Sequence, residues 1–132
     1  MNPAGLKRFP SKDGPAATMD RLVAAIKGRG MAVLARIDHA GAARDVGLEL
    51  RPTEVVLFGN PKAGTPLMQA VQTLGIDLPL KALVYEDADG KTWIAVNDPF
   101  WLAARHGVQG AEQALAAMSA VVTAVASEAA SG

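Results

Sequence analysis

Apolar and polar positions change period several times along this chain, and each change marks an element. After a short strand predicted over residues 4 to 9, Ser11-Lys12-Asp13-Gly14-Pro15 breaks the run and starts a helix, with Pro15 suited to the first helical position. Met19, Leu22, Val23 and Ile26 then fall at i, i+3, i+4 and i+7, one apolar face, until Gly28 and Gly30 stop it. Met31, Val33, Ala35 and Ile37 alternate with Ala32, Leu34, Arg36 and Asp38, a strand pattern. A short helix is predicted over residues 40 to 46 with Asp38 as its N-cap. Thr53 to Gly59 is nearly all apolar and reads as an interior strand.

Two helix-start signals follow in quick succession. Gly59-Asn60-Pro61 closes the strand, and Gly64-Thr65-Pro66 makes a second turn. The second is the stronger on local chemistry: Thr65 as N-cap, Pro66 at the first helical position, and Leu67, Val71 and Leu74 along one face. Gly75 then stands where a left-handed C′ residue is wanted, with Ile76 placed to close a hydrophobic contact back to Val71. Residues 81 to 86 and 91 to 96 form two strands joined by the hairpin signal Asp87-Ala88-Asp89-Gly90. Asn97-Asp98-Pro99 opens a short helix to Arg105, capped by Asp98 and stopped at Gly107. A final helix from about Gly110 to Ala126 buries Leu115, Met118, Val122 and Val125, and residues 127 to 132 are expected to fray.

Strands and helices do not alternate regularly, and one strand pair is a hairpin. The pattern therefore predicts an α+β fold: a mostly antiparallel sheet with helices packed on one face, in a single domain spanning residues 1 to 132. A sheet covered on one side leaves its other face for a ligand or a second subunit. That surface would be several hundred Å² of apolar area, more than monomers ordinarily expose, so a homodimer is expected.

Composition narrows the chemistry. Thirteen basic and thirteen acidic residues cancel, and no basic run occurs, so neither nucleic acid nor an anionic membrane is an expected partner. With no cysteine, disulfides, thiol catalysis and zinc-thiolate sites are excluded. Two histidines, His39 and His106, leave a transition-metal site short of ligands, and no cofactor-binding loop is present, so neither metal nor cofactor is expected. Residues 1 to 10 lack the apolar run of a signal peptide, and the C-terminal helix is interrupted by Glu112, Gln113, Ser119 and Thr123. A cytoplasmic location is the expectation.

Candidate site residues lie at the strand ends. Asp38-His39 places a carboxylate beside an imidazole, the pairing of a general base, although Asp38 as a helix cap with His39 exposed is the ordinary explanation. Asn60 with Lys62, and Asn97 with Asp98, present short polar side chains beside helix starts, where exposed amides accept an anion or simply their own cap. Tyr85 and Trp93 approach each other across the hairpin, either as core, the preferred assignment, or as one wall of a pocket. His106 at a helix C-terminus needs no catalytic explanation. No serine sits in a nucleophile elbow.

The blocks Ile37-Asp38-His39-Ala40, Val46-Gly47-Leu48-Glu49-Leu50, Leu57-Phe58-Gly59-Asn60-Pro61, Thr65-Pro66-Leu67-Met68-Gln69, Asp77-Leu78-Pro79-Leu80-Lys81 and Asn97-Asp98-Pro99 occur in one order over residues 37 to 99. Together they resemble the domain-of-unknown-function 302 family. One departure is Val96, where family members often carry tyrosine. The resemblance implies a compact α+β domain, often dimeric, and no assigned reaction. It carries Asp38, His39, Asn60, Pro61, Asn97 and Asp98 over as candidates for a shared polar site. The leading expectation is a dimeric module that binds a small ligand or regulates a partner. Its alternatives are a hydrolase-like enzyme using His39 or Asp98 as acid–base, and a purely structural interaction module.

Overall fold

The computed structural model describes residues 2–132 as one five-stranded sheet with helices. In chain order the elements are β1 (Leu6–Ser11), α1 (Pro15–Gly28), β2 (Ala32–Asp38), α2 (His39–Asp45), β3 (Thr53–Gly59) and α3 (Pro61–Ala70). A 3-10 turn (Gln72–Ile76), β4 (Leu80–Glu86), β5 (Thr92–Asn97), α4 (Pro99–Arg105) and α5 (Glu112–Ser131) complete the chain. The strand order is β1-β5-β4-β3-β2, and every neighbouring pair is antiparallel. The expected class, an antiparallel α+β sheet, is the one observed.

Helices α1 and α5 pack on one face of the sheet and on each other. Met19, Leu22 and Ile26 of α1 and Val125, Ala126 and Ala129 of α5 are fully buried there, against Val56 and Phe58 of β3, Ala82 and Val84 of β4, and Ile94 and Val96 of β5. Alternation in the strands makes this possible, since every second side chain reaches the helix layer. A smaller cluster of Leu67, Leu74, Leu102, Ala103 and Leu115 joins α3, the 3-10 turn, α4 and the start of α5 at one end.

Four expectations are corrected. The helix placed at Thr65 begins at Pro61, because Asn60 accepts the Lys62 amide at 3.0 Å and wins the competition for the cap. Pro66 is carried inside that helix. Gly75 is not left-handed but lies within the 3-10 turn, and Ile76 is 73 % exposed, so no Schellman stop forms. In β2 the continuous alternation breaks at a bulge: Val33 pairs with Phe58 on the helix side, whereas Ala35 pairs with Leu57 on the other. Finally, residues 127 to 131 do not fray. The helix continues to Ser131 because Ala129 is buried, its carbonyl accepts from Arg21 Nε at 2.9 Å, and Ala130 O accepts the Lys12 amide.

Candidate functional site

The strand faces turned away from α1 and α5 form a second surface. Register assigns Leu6, Arg8 and Pro10 of β1, Trp93, Ala95 and Asn97 of β5, Lys81, Leu83 and Tyr85 of β4, and Val55 of β3 to this side. A shallow depression of about 660 Å³ occupies it. Leu6, Val55, Leu83 and Ala95 make its floor, while Arg8, His39, Lys81, Tyr85 and Asn97 stand around them, with Asn2 and Pro3 on the rim.

Arg8 is exposed but contacts two aromatic neighbours. Its guanidinium lies 4.2 Å from the centroid of Trp93, and its Nη1 donates to Tyr85 Oη at 3.0 Å. Trp93 is itself fixed by donating from Nε1 to Asp87 Oδ2 at 2.8 Å, and Lys91 covers it at 4.6 Å. Asp87 also accepts the amides of Asp89 and Lys91, closing the hairpin at Gly90, whose φ is +79°. The Trp93 indole first, and then those amides, holds the Asp87 carboxyl below the usual carboxylate range. Tyr85 and Trp93 do face each other in register, as the hairpin requires. Their assignment to the core is corrected: they form a wall of the open face, each only half-buried.

The candidates from the strand ends divide into two groups. His39 and Asn97 line the depression. Asp38, Asn60 and Asp98 cap α2, α3 and α4, accepting the amides of Gly41, Lys62 and Phe100 at 2.9, 3.0 and 2.9 Å. Asp98 also lies 3.9 Å from Lys7 Nζ, and Asp38 lies 3.9 Å from Arg44. Asp38 therefore does not orient His39, and the two do not form a dyad. Lys62 contributes its backbone amide to the Asn60 cap. Arg8, Lys81, Leu83 and Ala95 were missed by reading strand ends alone. Lys81 is marked by being the one basic residue in a largely apolar strand, whereas Arg8, next to Lys7 in β1, carries no such signal.

A separate polar cluster joins the 3-10 turn to the end of α4. His106 bonds Thr73 Oγ1 through Nδ1 at 2.9 Å and Asp77 Oδ2 through Nε2 at 2.5 Å, and Arg105 Nη1 reaches both Asp77 oxygens at 2.9 Å. Burial pushes the Asp77 carboxyl up, but the His106 hydrogen bond and the Arg105 charge together outweigh it and hold the group below its usual range. The cluster ties the 3-10 turn and the residue after it to the end of α4. Among the described residues no group of three or more His, Asp or Glu side chains is placed to hold a metal.

The sequence profile described as "Domain of unknown function DUF302" matches residues 7–125. The chain belongs to the DUF302 family. The solved structure described as an uncharacterized conserved protein DUF302 from Bacillus stearothermophilus superposes with a TM-score of 0.86 over 96 % of this chain and 99 % of that one. At 20 % identity that likeness carries the fold alone. Proteins named fluoride-specific ion channel FluC 1 from Brucella suis biovar 1 and Brucella abortus biovar 1 are each 49 % identical over 105 residues, which is 80 % of this DUF302 chain. The match covers 41 % and 39 % of those two relatives, so the chain spans about two fifths of their length.

Proposed function

We propose that this DUF302 domain is a dimeric regulatory module that binds a small ligand on the open face of its sheet. The observation that carries the reading is the depression there, a polar rim around an apolar floor on a face that α1 and α5 leave bare. Its volume of about 660 Å³ falls among those of small-molecule sites. The Brucella relatives support the regulatory half of the reading. They are named for a fluoride channel, and more than half of each lies outside the matched segment. We read the matched part as a sensor that accompanies a conducting part. Helix α5 is long and apolar enough to cross a membrane, with a mean hydropathy of 1.5, yet in this fold its buried residues complete the core.

Self-association is favoured by a different surface. Leu34 and Ile37 of the edge strand β2, and Val46, Leu48 and Leu50 of the loop after α2, are all exposed, Val46 by 71 %. An enzyme built on His39 or Asp98 finds less support, because the Asp98 carboxylate is engaged by the α4 cap and Lys7, and no carboxylate orients His39.

The test is to purify the protein from its own cells, denature it, and identify the released small molecules by mass spectrometry. Leu83→Trp, which fills the depression from its floor, serves as the comparison once its circular-dichroism spectrum matches the wild type. A molecule enriched with the wild-type protein and lost from Leu83→Trp is expected. Equal recovery from both, or none from either, would contradict the reading.

A further inference from the structure

We propose that Thr73, His106 and Asp77 form a relay of hydroxyl, base and carboxylate that takes an acyl group from small activated esters and hydrolyses it. None of the three lines the open-face depression, so this second site stands apart from the ligand reading above.

A continuous chain of hydrogen bonds is the first argument. His106 Nδ1 lies 2.9 Å from Thr73 Oγ1, and His106 Nε2 lies 2.5 Å from Asp77 Oδ2. Burial alone would raise the Asp77 carboxyl, but the His106 bond and the Arg105 charge keep it ionised. A carboxylate only accepts, so Nε2 of the neutral imidazole carries its proton and Nδ1 presents a lone pair. The Thr73 hydroxyl must then donate to Nδ1. A hydroxyl bonded to a base that a third group orients is the arrangement that activates a weak nucleophile. Thr73 and His106 stand 33 residues apart, so only the fold brings them together.

Accessibility is the second. The His106 side chain is 9 % exposed and that of Asp77 17 %, whereas Thr73 is an exposed residue. The base is shielded and the nucleophile can be reached from solvent. The turn also supplies an apolar neighbour. Residues i and i+3 eclipse in a 3-10 helix, which puts Ile76 on the same face as Thr73. Ile76 is 73 % exposed, and an acyl group of a few carbons would cover it. In the reaction Thr73 Oγ1 bonds to the acyl carbonyl carbon and passes its proton to His106 Nδ1. Asp77 holds the imidazolium until that proton moves to the departing oxygen, as the ester C–O bond breaks. Water attacks the acyl-threonine by the same route and restores the hydroxyl. One ester and one water give one acid and one alcohol.

The experiment follows hydrolysis of p-nitrophenyl acetate and p-nitrophenyl butyrate by the full chain, above the rate in buffer, and locates any acyl group by mass spectrometry after an acid quench. Acylation of Thr73 is expected. Thr73→Val keeps the shape of an exposed side chain and removes its hydroxyl, and should lower the rate roughly a hundred-fold or more. Thr73→Ser should retain it. Asp77 acts through His106, so Asp77→Asn, once its circular-dichroism spectrum matches the wild type, should lower kcat and leave KM unchanged. Ile76→Ser should raise KM for the butyrate more than for the acetate. An acyl group on lysine, or on no residue, or a Thr73→Val protein as active as wild type, would overturn the proposal. An unchanged butyrate KM in Ile76→Ser would overturn the role of Ile76 alone.

Discussion

Asp38, Asn60 and Asp98 each accept a backbone N–H at the start of a helix, and those contacts decide what their loss should do. Alanine at each position is expected to cost about 0.5–2 kcal/mol in urea unfolding, and the costs should add because the three caps share no partner. His39 is exposed and orients no neighbour, so His39→Ala should stay within about 0.5 kcal/mol of wild type. A larger loss would reveal a buried contact that the structure lacks. Asp77 gives the pH dependence. Its carboxyl is held below the ordinary value in the folded state, so it contributes stability above the unfolded value of about 3.9, and this is lost as pH falls through the folded value. Asp77→Asn should therefore flatten the acid limb of a stability-versus-pH profile. Caps at Asp38 and Asp98 were legible in the sequence because a cap is a contact between near neighbours. Arg8 and Lys81 were not, because only the register of β1, β5, β4 and β3 puts them on the same face of the sheet.

Among the elements, α3 shows how two local signals compete. Asn60-Pro61 and Thr65-Pro66 both announce a helix start, and only the first is used. Thr65 is then an exposed residue inside a helix, and Thr65→Ala should change stability by less than about 0.5 kcal/mol. A loss near 1 kcal/mol would instead mark Thr65 as a cap. The C-terminal segment makes the opposite case. Polar and small residues from Ser127 onward suggest fraying, but Ala129 is buried and two hydrogen bonds tie its turn to Lys12, just after β1, and to Arg21 of α1. Removing residues 127 to 132 should cost on the order of 2 kcal/mol, from lost apolar burial and those bonds. An unchanged unfolding midpoint would contradict this. The β2 bulge at Leu34 was invisible in the alternating pattern, since nothing in a run of apolar residues marks where the pleat changes face.

At the scale of the molecule, the sheet is apolar on one side because α1 and α5 need it, and mixed apolar and polar on the other. The irregular order of strands and helices made the antiparallel class legible, and the hairpin fixed one register. Which residues gather on the open face was not legible, since β1 reaches β5 across nearly the whole chain. The exposed strip of Leu34, Ile37, Val46, Leu48 and Leu50 is expected to bring two copies together. Light scattering at micromolar concentration should then report twice the chain mass of 13.6 kDa, and a clean monomer would remove the dimer. The central claim is that ligand binds the open face, and a methyl spectrum tests it most directly. Protein labelled at its Leu, Val and Ala methyls is mixed with the small-molecule fraction of its own cells. Shifts at Leu6, Val55, Leu83 and Ala95, with Val56, Val84 and Val125 unmoved, are the expected result. Shifts confined to the helix-side methyls, or to Leu67 and Leu102 beside the α3 and α4 caps, would contradict it.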